Sequence, residues 1–127
     1  MTGRYLLVAF LALHGLVHVL GFSATWRIGP TGTVSAAPSL LPAVASGGAP
    51  AHLLGIMWLA ASIAFIAAAL GLMGDAAWWR TATAAAALVS LGLSVAWWTD
   101  AKAGALIDVA ILVMIVASAL SSPAAAV

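Results

Sequence analysis

With 127 residues, 65% of them hydrophobic and 6% charged, the chain is too poor in polar groups to cover a soluble domain, where about a quarter of residues are charged. A formal net charge of +1 excludes the basic footprint of a nucleic-acid binder and the polybasic tail of an anionic-lipid binder. The absence of cysteine excludes disulfides, thiolate metal sites and Cys-x-x-Cys redox chemistry.

A mean hydropathy of +1.21, carried in long apolar runs, predicts an all-α integral membrane protein. After a short polar start, residues 5–22 form the first predicted helix, just long enough to span at about 1.5 Å per residue. Tyr5 stands where an interfacial anchor would. This run exceeds an ordinary signal-peptide core, holds two histidines and is followed by Phe22-Ser23-Ala24, a poor cleavage site, so it is expected to remain as a signal anchor.

Residues 23–50 are of a different kind. Pro30, Pro38, Pro42 and Pro50, with Gly29, Gly32, Gly47 and Gly48, forbid a long helix and predict one substantial loop. That loop is apolar, with Trp26, Ile28, Val34, Leu40, Leu41 and Val44, as suits a lid or a segment lying on the bilayer. Pro50 then marks the start of the second helix, 51–73. A tight connection with Asp75, Trp78, Trp79 and Arg80 leads to the third helix, 81–98. A turn at 99–103 holding Asp100 and Lys102 precedes the fourth, 104–120, which stops at Ser121-Ser122-Pro123. Short connections force antiparallel neighbours, so the expected fold is a single-domain, antiparallel four-transmembrane-helix bundle over 1–127. The Trp78-Trp79 and Trp97-Trp98 pairs read as aromatic belts, with one of Trp97 and Trp98 turned toward the bundle. Arg4 and Arg80 on one side balance Arg27 and Lys102 on the other, so charge sets no orientation.

Topology brings the polar groups to one membrane face. The end of helix one, the start of helix two, the end of helix three and the start of helix four share that face, under the long loop. It carries His14, His18, His52, Trp97, Trp98, Asp100, Lys102 and Asp108. His14 and His18 lie one turn apart on one face of their helix, His14 near its middle, with Asp108 about one turn into helix four. His52 and Asp100 lie nearer the interface. Ionisable groups are expensive in lipid and mark function by default, so His14, His18 and Asp108 are the candidate catalytic residues. His52, Trp26, Trp97, Trp98 and Asp100 are candidate ligand contacts. Ser90 and Ser94 on helix three read as helix-packing residues.

The residue types allow several chemistries. H-x-x-x-H on a helix is a metal-ligand spacing, so His14, His18 and His52 could hold zinc or iron, or two opposed histidines a haem. The glutamate of H-E-x-x-H proteases is absent, because position 15 is Gly15. The same groups suit general acid–base work, with Asp108 orienting a histidine.

The stretch His14-Gly15-Leu16-Val17-His18-Val19-Leu20-Gly21-Phe22, an HGxxHxxGF pattern, and Trp98-Thr99-Asp100-Ala101-Lys102-Ala103-Gly104 resemble small bacterial four-helix membrane proteins. More distantly, the first looks like the His-Gly-x-x-Lys-x-x-Gly region of DoxX-like proteins, with His18 at the lysine position. The resemblance covers mainly helix one and the third turn; it implies four spans in a bacterial cytoplasmic membrane and names no substrate. The expectation is a His/Asp-lined pocket that binds a lipophilic small molecule and performs isomerase- or cyclase-like proton transfer on it. The alternatives are a metal- or haem-binding redox subunit and a non-catalytic accessory subunit of a membrane complex; the expected partners are the bilayer and either further copies of the chain or a membrane complex.

Overall fold

A computed structural model describes residues 2–29 and 34–121. It contains four helices in chain order: α1 Thr2–Trp26, α2 Ala49–Met73, α3 Trp79–Ala96 and α4 Trp98–Ser121. All four are long and apolar enough to cross a membrane, and together they form an all-α integral membrane bundle. Met1, Pro30, Gly32 and the Ser122-Pro123 stop of the sequence reading lie outside the described residues.

α1, α2 and α4 run further than the sequence predicts, and α3 keeps its predicted length but lies two residues earlier, ending at Ala96 rather than Trp98. α1 continues through 23–26, a stretch without glycine or proline, in which the Thr25 hydroxyl donates to the Gly21 and Phe22 carbonyls at 3.0 and 2.9 Å. It stops at Arg27, whose φ of 53° is left-handed. There the Arg27 amide donates to Ala24 O and the Ile28 amide to Ser23 O, the paired bonds of a Schellman end. α2 ends the same way, with Asp75 at φ 56° and the Ala76 amide donating to Gly71 O at 2.9 Å. Arg4 donates to Leu72 O and Met73 O, at 2.7 and 2.6 Å, and pairs with Asp75 at 2.9 Å. That ties the start of α1 to the end of α2.

The expected turn at 99–103 is instead the first turn of α4. It contains neither glycine nor proline, and Asp100 sits where a helix dipole favours an acid. Only Trp97 separates α3 from α4, its carbonyl receiving the Asp100 and Ala101 amides. Trp97 is fully buried while Trp98 is exposed, so the pair is not a simple belt. Trp78 is exposed and Trp79 packs partly against the core.

Burial on α1 falls on Leu11, His14, Gly15, His18, Gly21 and Ala24, a stripe at helical spacing. Glycine lets α1 approach α2 closely. A Cβ on Gly15 would stand 2.9 Å from Phe65 Cβ, and one on Gly21 would fall inside the Trp58 indole. The core has two apolar clusters. One gathers Leu11, Phe65, Ala69, Leu72, Ala86, Ala87 and Ile111; the other, toward the long loop, holds Trp58, Leu93 and Trp97. Between them, in sequence on every helix, lies a polar layer: His14 and His18, Ser62, Ser90, and Asp108.

Consecutive helices pack against each other, but no Cα of α1 comes within 8 Å of one in α4 among the described residues. Closely packed helices have axes about 8–10 Å apart, so the bundle is open along the α1–α4 seam.

Candidate functional site

His14 lies at the midpoint of α1 and Asp108 ten residues into α4. At about 1.5 Å per residue both are roughly 15–18 Å from the loop-side helix ends, the centre of an apolar slab about 30 Å thick. The sequence reading placed Asp108 only one turn deep. Because α4 begins at Trp98, the carboxylate is far deeper, level with His14.

Four side chains from three helices form one hydrogen-bonded chain. His14 Nε2 meets Asp108 Oδ1 at 2.9 Å. The Ser90 hydroxyl donates to Asp108 Oδ2 at 2.5 Å, and His18 Nε2 meets the same hydroxyl oxygen at 2.5 Å. His18 Nδ1 donates to the His14 carbonyl at 2.7 Å, which closes the chain on itself. The bonds cross the α1–α4 seam and the α1–α3 diagonal, where no backbones touch.

Counting protons shows what this chain can do. Ser90 owns one hydroxyl proton. While it is given to Asp108, His18 Nε2 must donate to Ser90 Oγ, so both His18 nitrogens carry protons; where His14 Nε2 likewise donates to Oδ1, Asp108 is a carboxylate. Shifting one proton from Nε2 to Oγ, and the serine proton from Oγ to Oδ2, leaves a neutral imidazole and a neutral carboxylic acid. No heavy-atom hydrogen bond changes. The two states hold the same number of protons, so the chain can hand a proton between His18 and Asp108 without taking one from outside.

Aromatic rings fix the imidazoles. Phe65 meets the His14 ring edge-on at 4.8 Å, Phe10 stacks on it at 6.0 Å, and Trp58 lies 5.2 Å from the His18 ring. Asp108 has no exposed surface, whereas His14 keeps 8%, and that difference decides which group can meet a ligand. His14 and His18 line a cavity of about 250 Å³ whose walls include Val17, Gly21, Trp58, Ser94 and Ile107, with Asp100 and Val34 on the loop side. With Nε2 held by Asp108, His14 Nδ1 has no hydrogen bond among the described residues. It is the unpaired ring nitrogen of the site, and is a proton acceptor when Nε2 carries the proton shared with Asp108.

Of the sequence candidates, His14, His18 and Asp108 come together, their ligating atoms all within 4.8 Å. His52 does not join them. It stacks on Trp26 at 4.8 Å, and its carbonyl accepts the Trp26 indole N–H at 3.1 Å. Phe65, which touches His14, is thirteen residues further along α2, about 20 Å on the helix axis. A haem or metal shared by His14 and His52 is therefore out of reach, and Trp26 stays with His52 outside the cavity. Trp98 does not line it either. Trp97 acts from beneath, edge-on to Trp58 at 5.8 Å, and donates its N–H to Ser35 O at 2.8 Å. Asp100 Oδ2 accepts the Ser35 amide at 2.8 Å. The apolar loop is thus pinned over the cavity from both sides of Ser35.

Sequence reasoning gave Ser90 and Ser94 to packing, and missed Trp58. A signal was present for the serines. Ser90 and Asp108 are equally far from Thr99 along the chain, as are Ser94 and Gly104, so a hairpin turning there sets each pair side by side. A Cβ on Gly104 would lie 3.1 Å from Ser94 Oγ, in keeping with that register. No protein-family model, curated protein or solved structure matches the chain.

Proposed function

We propose that this membrane protein binds a lipophilic small molecule in the cavity beside His14 and His18 and moves a proton on it. One observation carries the reading: a four-residue hydrogen-bonded chain, at the depth of the bilayer centre, ends in His14, a cavity-lining imidazole with one unpaired ring nitrogen. Burying two imidazoles and a carboxylate in lipid is costly, and packing alone would be served by leucine. His14 is the base or acid that meets the ligand, Asp108 orients it, and Ser90 with His18 adjusts the charge on Asp108 as His14 gains or loses its proton. Chemistry of this kind is isomerisation or cyclisation, which needs no oxidant. On the resemblance of the HGxxHxxGF stretch, we assign the protein to a bacterial cytoplasmic membrane.

The test is to extract the protein with its surrounding lipid in polymer nanodiscs and identify retained small molecules by mass spectrometry. A compound held by the native chain and lost from His14→Leu, and which gains carbon-bound deuterium in heavy water only when Asp108 is intact, supports the reading. Identical extracts from the native chain and His14→Leu would refute it.

A metal reading rests on the 4.8 Å cluster of His14, His18 and Asp108. It ranks second because His14 Nε2, both His18 nitrogens and both Asp108 oxygens already have partners, bonds an ion would have to break. About one equivalent of zinc or iron on the purified protein, lost in His18→Ala, would reverse that ranking.

A further inference from the structure

The cavity offers polar groups that the protein itself leaves unused. Ser94 is 1% exposed and lines the cavity, yet makes no hydrogen bond among the described residues. Trp58 lines the same cavity, and its indole N–H is buried without a partner. A buried donor left without an acceptor is destabilising. Ser94 can donate and Trp58 can only donate, so the complementary ligand atom is an acceptor.

Charge narrows the choice. Among the described residues no lysine or arginine lines the cavity, and Asp100 stands on its loop side. A phosphate or carboxylate head group would meet Asp100 and no lysine or arginine, and a doubly protonated His18 is already balanced by the Asp108 carboxylate through Ser90, so the acceptor is an uncharged oxygen. Size narrows it further. At about 250 Å³ the cavity is smaller than the roughly 300–1,000 Å³ of sites that enclose a drug-sized ligand. It holds a head group and not a whole lipid. The apolar rim residues Val17 and Ile107, one on each side of the open α1–α4 seam, are exposed and lead from the cavity into the bilayer.

We infer, building on the lipophilic-ligand reading above, that the ligand is a neutral carbonyl-bearing lipid. Its oxygen accepts from Ser94 and, as the indole turns its sealed N–H into the cavity, from Trp58, and its tail leaves between α1 and α4. Two donors on a carbonyl stabilise negative charge that develops on its oxygen, and His14 Nδ1 is the base in the same cavity. A proton passes from the carbon beside the carbonyl to Nδ1. The C–H electron pair becomes the enolate double bond as the carbonyl pair moves onto oxygen. Returning the proton to that carbon regenerates the starting carbonyl; where the lipid carries a β,γ double bond, the enolate is a dienolate, and returning the proton to its γ-carbon instead restores the carbonyl with the double bond shifted into conjugation and no net change in protons or electrons.

Three chains of equal length separate this inference from the reading beneath it: 2-pentadecanone, pentadecane and pentadecanoic acid, titrated into the protein in nanodiscs. The ketone should bind most tightly. Ser94→Ala and Trp58→Phe should each weaken the ketone roughly threefold to tenfold, one hydrogen bond's worth, and leave pentadecane unaffected. The infrared carbonyl stretch of carbonyl-13C-labelled ketone should lie lower on the native protein than on Ser94→Ala, a shift that lost packing does not produce. Equal binding of ketone and alkane, or tightest binding of the acid, overturns the carbonyl inference and leaves the lipophilic cavity standing. No binding of any of the three overturns both.

Discussion

Ser90→Ala removes one oxygen and with it two bonds, to Asp108 Oδ2 and His18 Nε2, both 2.5 Å long. Side-chain hydrogen bonds in membrane proteins average about 0.6 kcal/mol and reach about 1.7, so two of them set a floor near 1 kcal/mol. Leaving a buried polar atom unpaired costs about 1–3 kcal/mol, so two orphaned atoms set a ceiling near 6. Asp108 is sealed, and His18 is also confined by Trp58 and Phe65, but His18 borders the cavity and can relax toward it. The expected loss is therefore about 2–3 kcal/mol, between those limits. The measurement is reversible unfolding in mixed detergent–SDS micelles, followed by helical circular dichroism, on Ser90→Ala, His18→Leu and the double variant. Because the two residues share one bond, the double variant should lose less than the sum of the singles by more than about 0.5 kcal/mol, the scatter of independent sites. Strict additivity, or a Ser90→Ala protein as stable as the native chain, would refute the hydrogen-bonded chain.

Three further outcomes follow from the packing. Gly21→Ala puts a methyl into the Trp58 indole, whereas Gly92→Ala meets nothing within 4 Å; the first should destabilise by about 1–3 kcal/mol and the second be neutral or stabilise by up to about 1 kcal/mol, in the same unfolding assay, and the reverse order would contradict the α1–α2 approach. Asp75→Gly relieves a left-handed residue at the end of α2 and loses only a surface ion pair, so it should raise stability by about 0.5–1 kcal/mol; Arg4→Ala, which also strips donors from two terminal carbonyls, should lower it, and a stabilised Arg4→Ala would count against the cap. Asp100→Ala frees the Ser35 amide, and hydrogen exchange at Ser35 should accelerate while exchange at Leu11, in the core, stays unchanged; equal rates in both proteins would mean that the loop is held elsewhere.

Much of this molecule is legible in its sequence because the bilayer imposes simple rules. Long apolar runs must be helices, since lipid offers the backbone no other partner, and short connections make neighbouring helices antiparallel. Those two facts already placed His14, His18 and Asp108 on one side and named them as the costly groups. Helix ends were less legible: Arg27 and Asp75 stop helices in a conformation usually taken by glycine, and the charged pair Asp100 and Lys102 looks like a turn although it begins α4. What sequence could not supply is rotation about each helix axis and the distance between axes. Periodicity says that His14 and His18 share a face but not that this face meets Ser90, and topology groups His52 with them although about 20 Å of helix lies between. The open α1–α4 seam, the unpaired Trp58 N–H and the cavity they border exist only where four separate helices come together. Those features, set by packing between segments far apart in the chain, turn three expensive side chains into a candidate site.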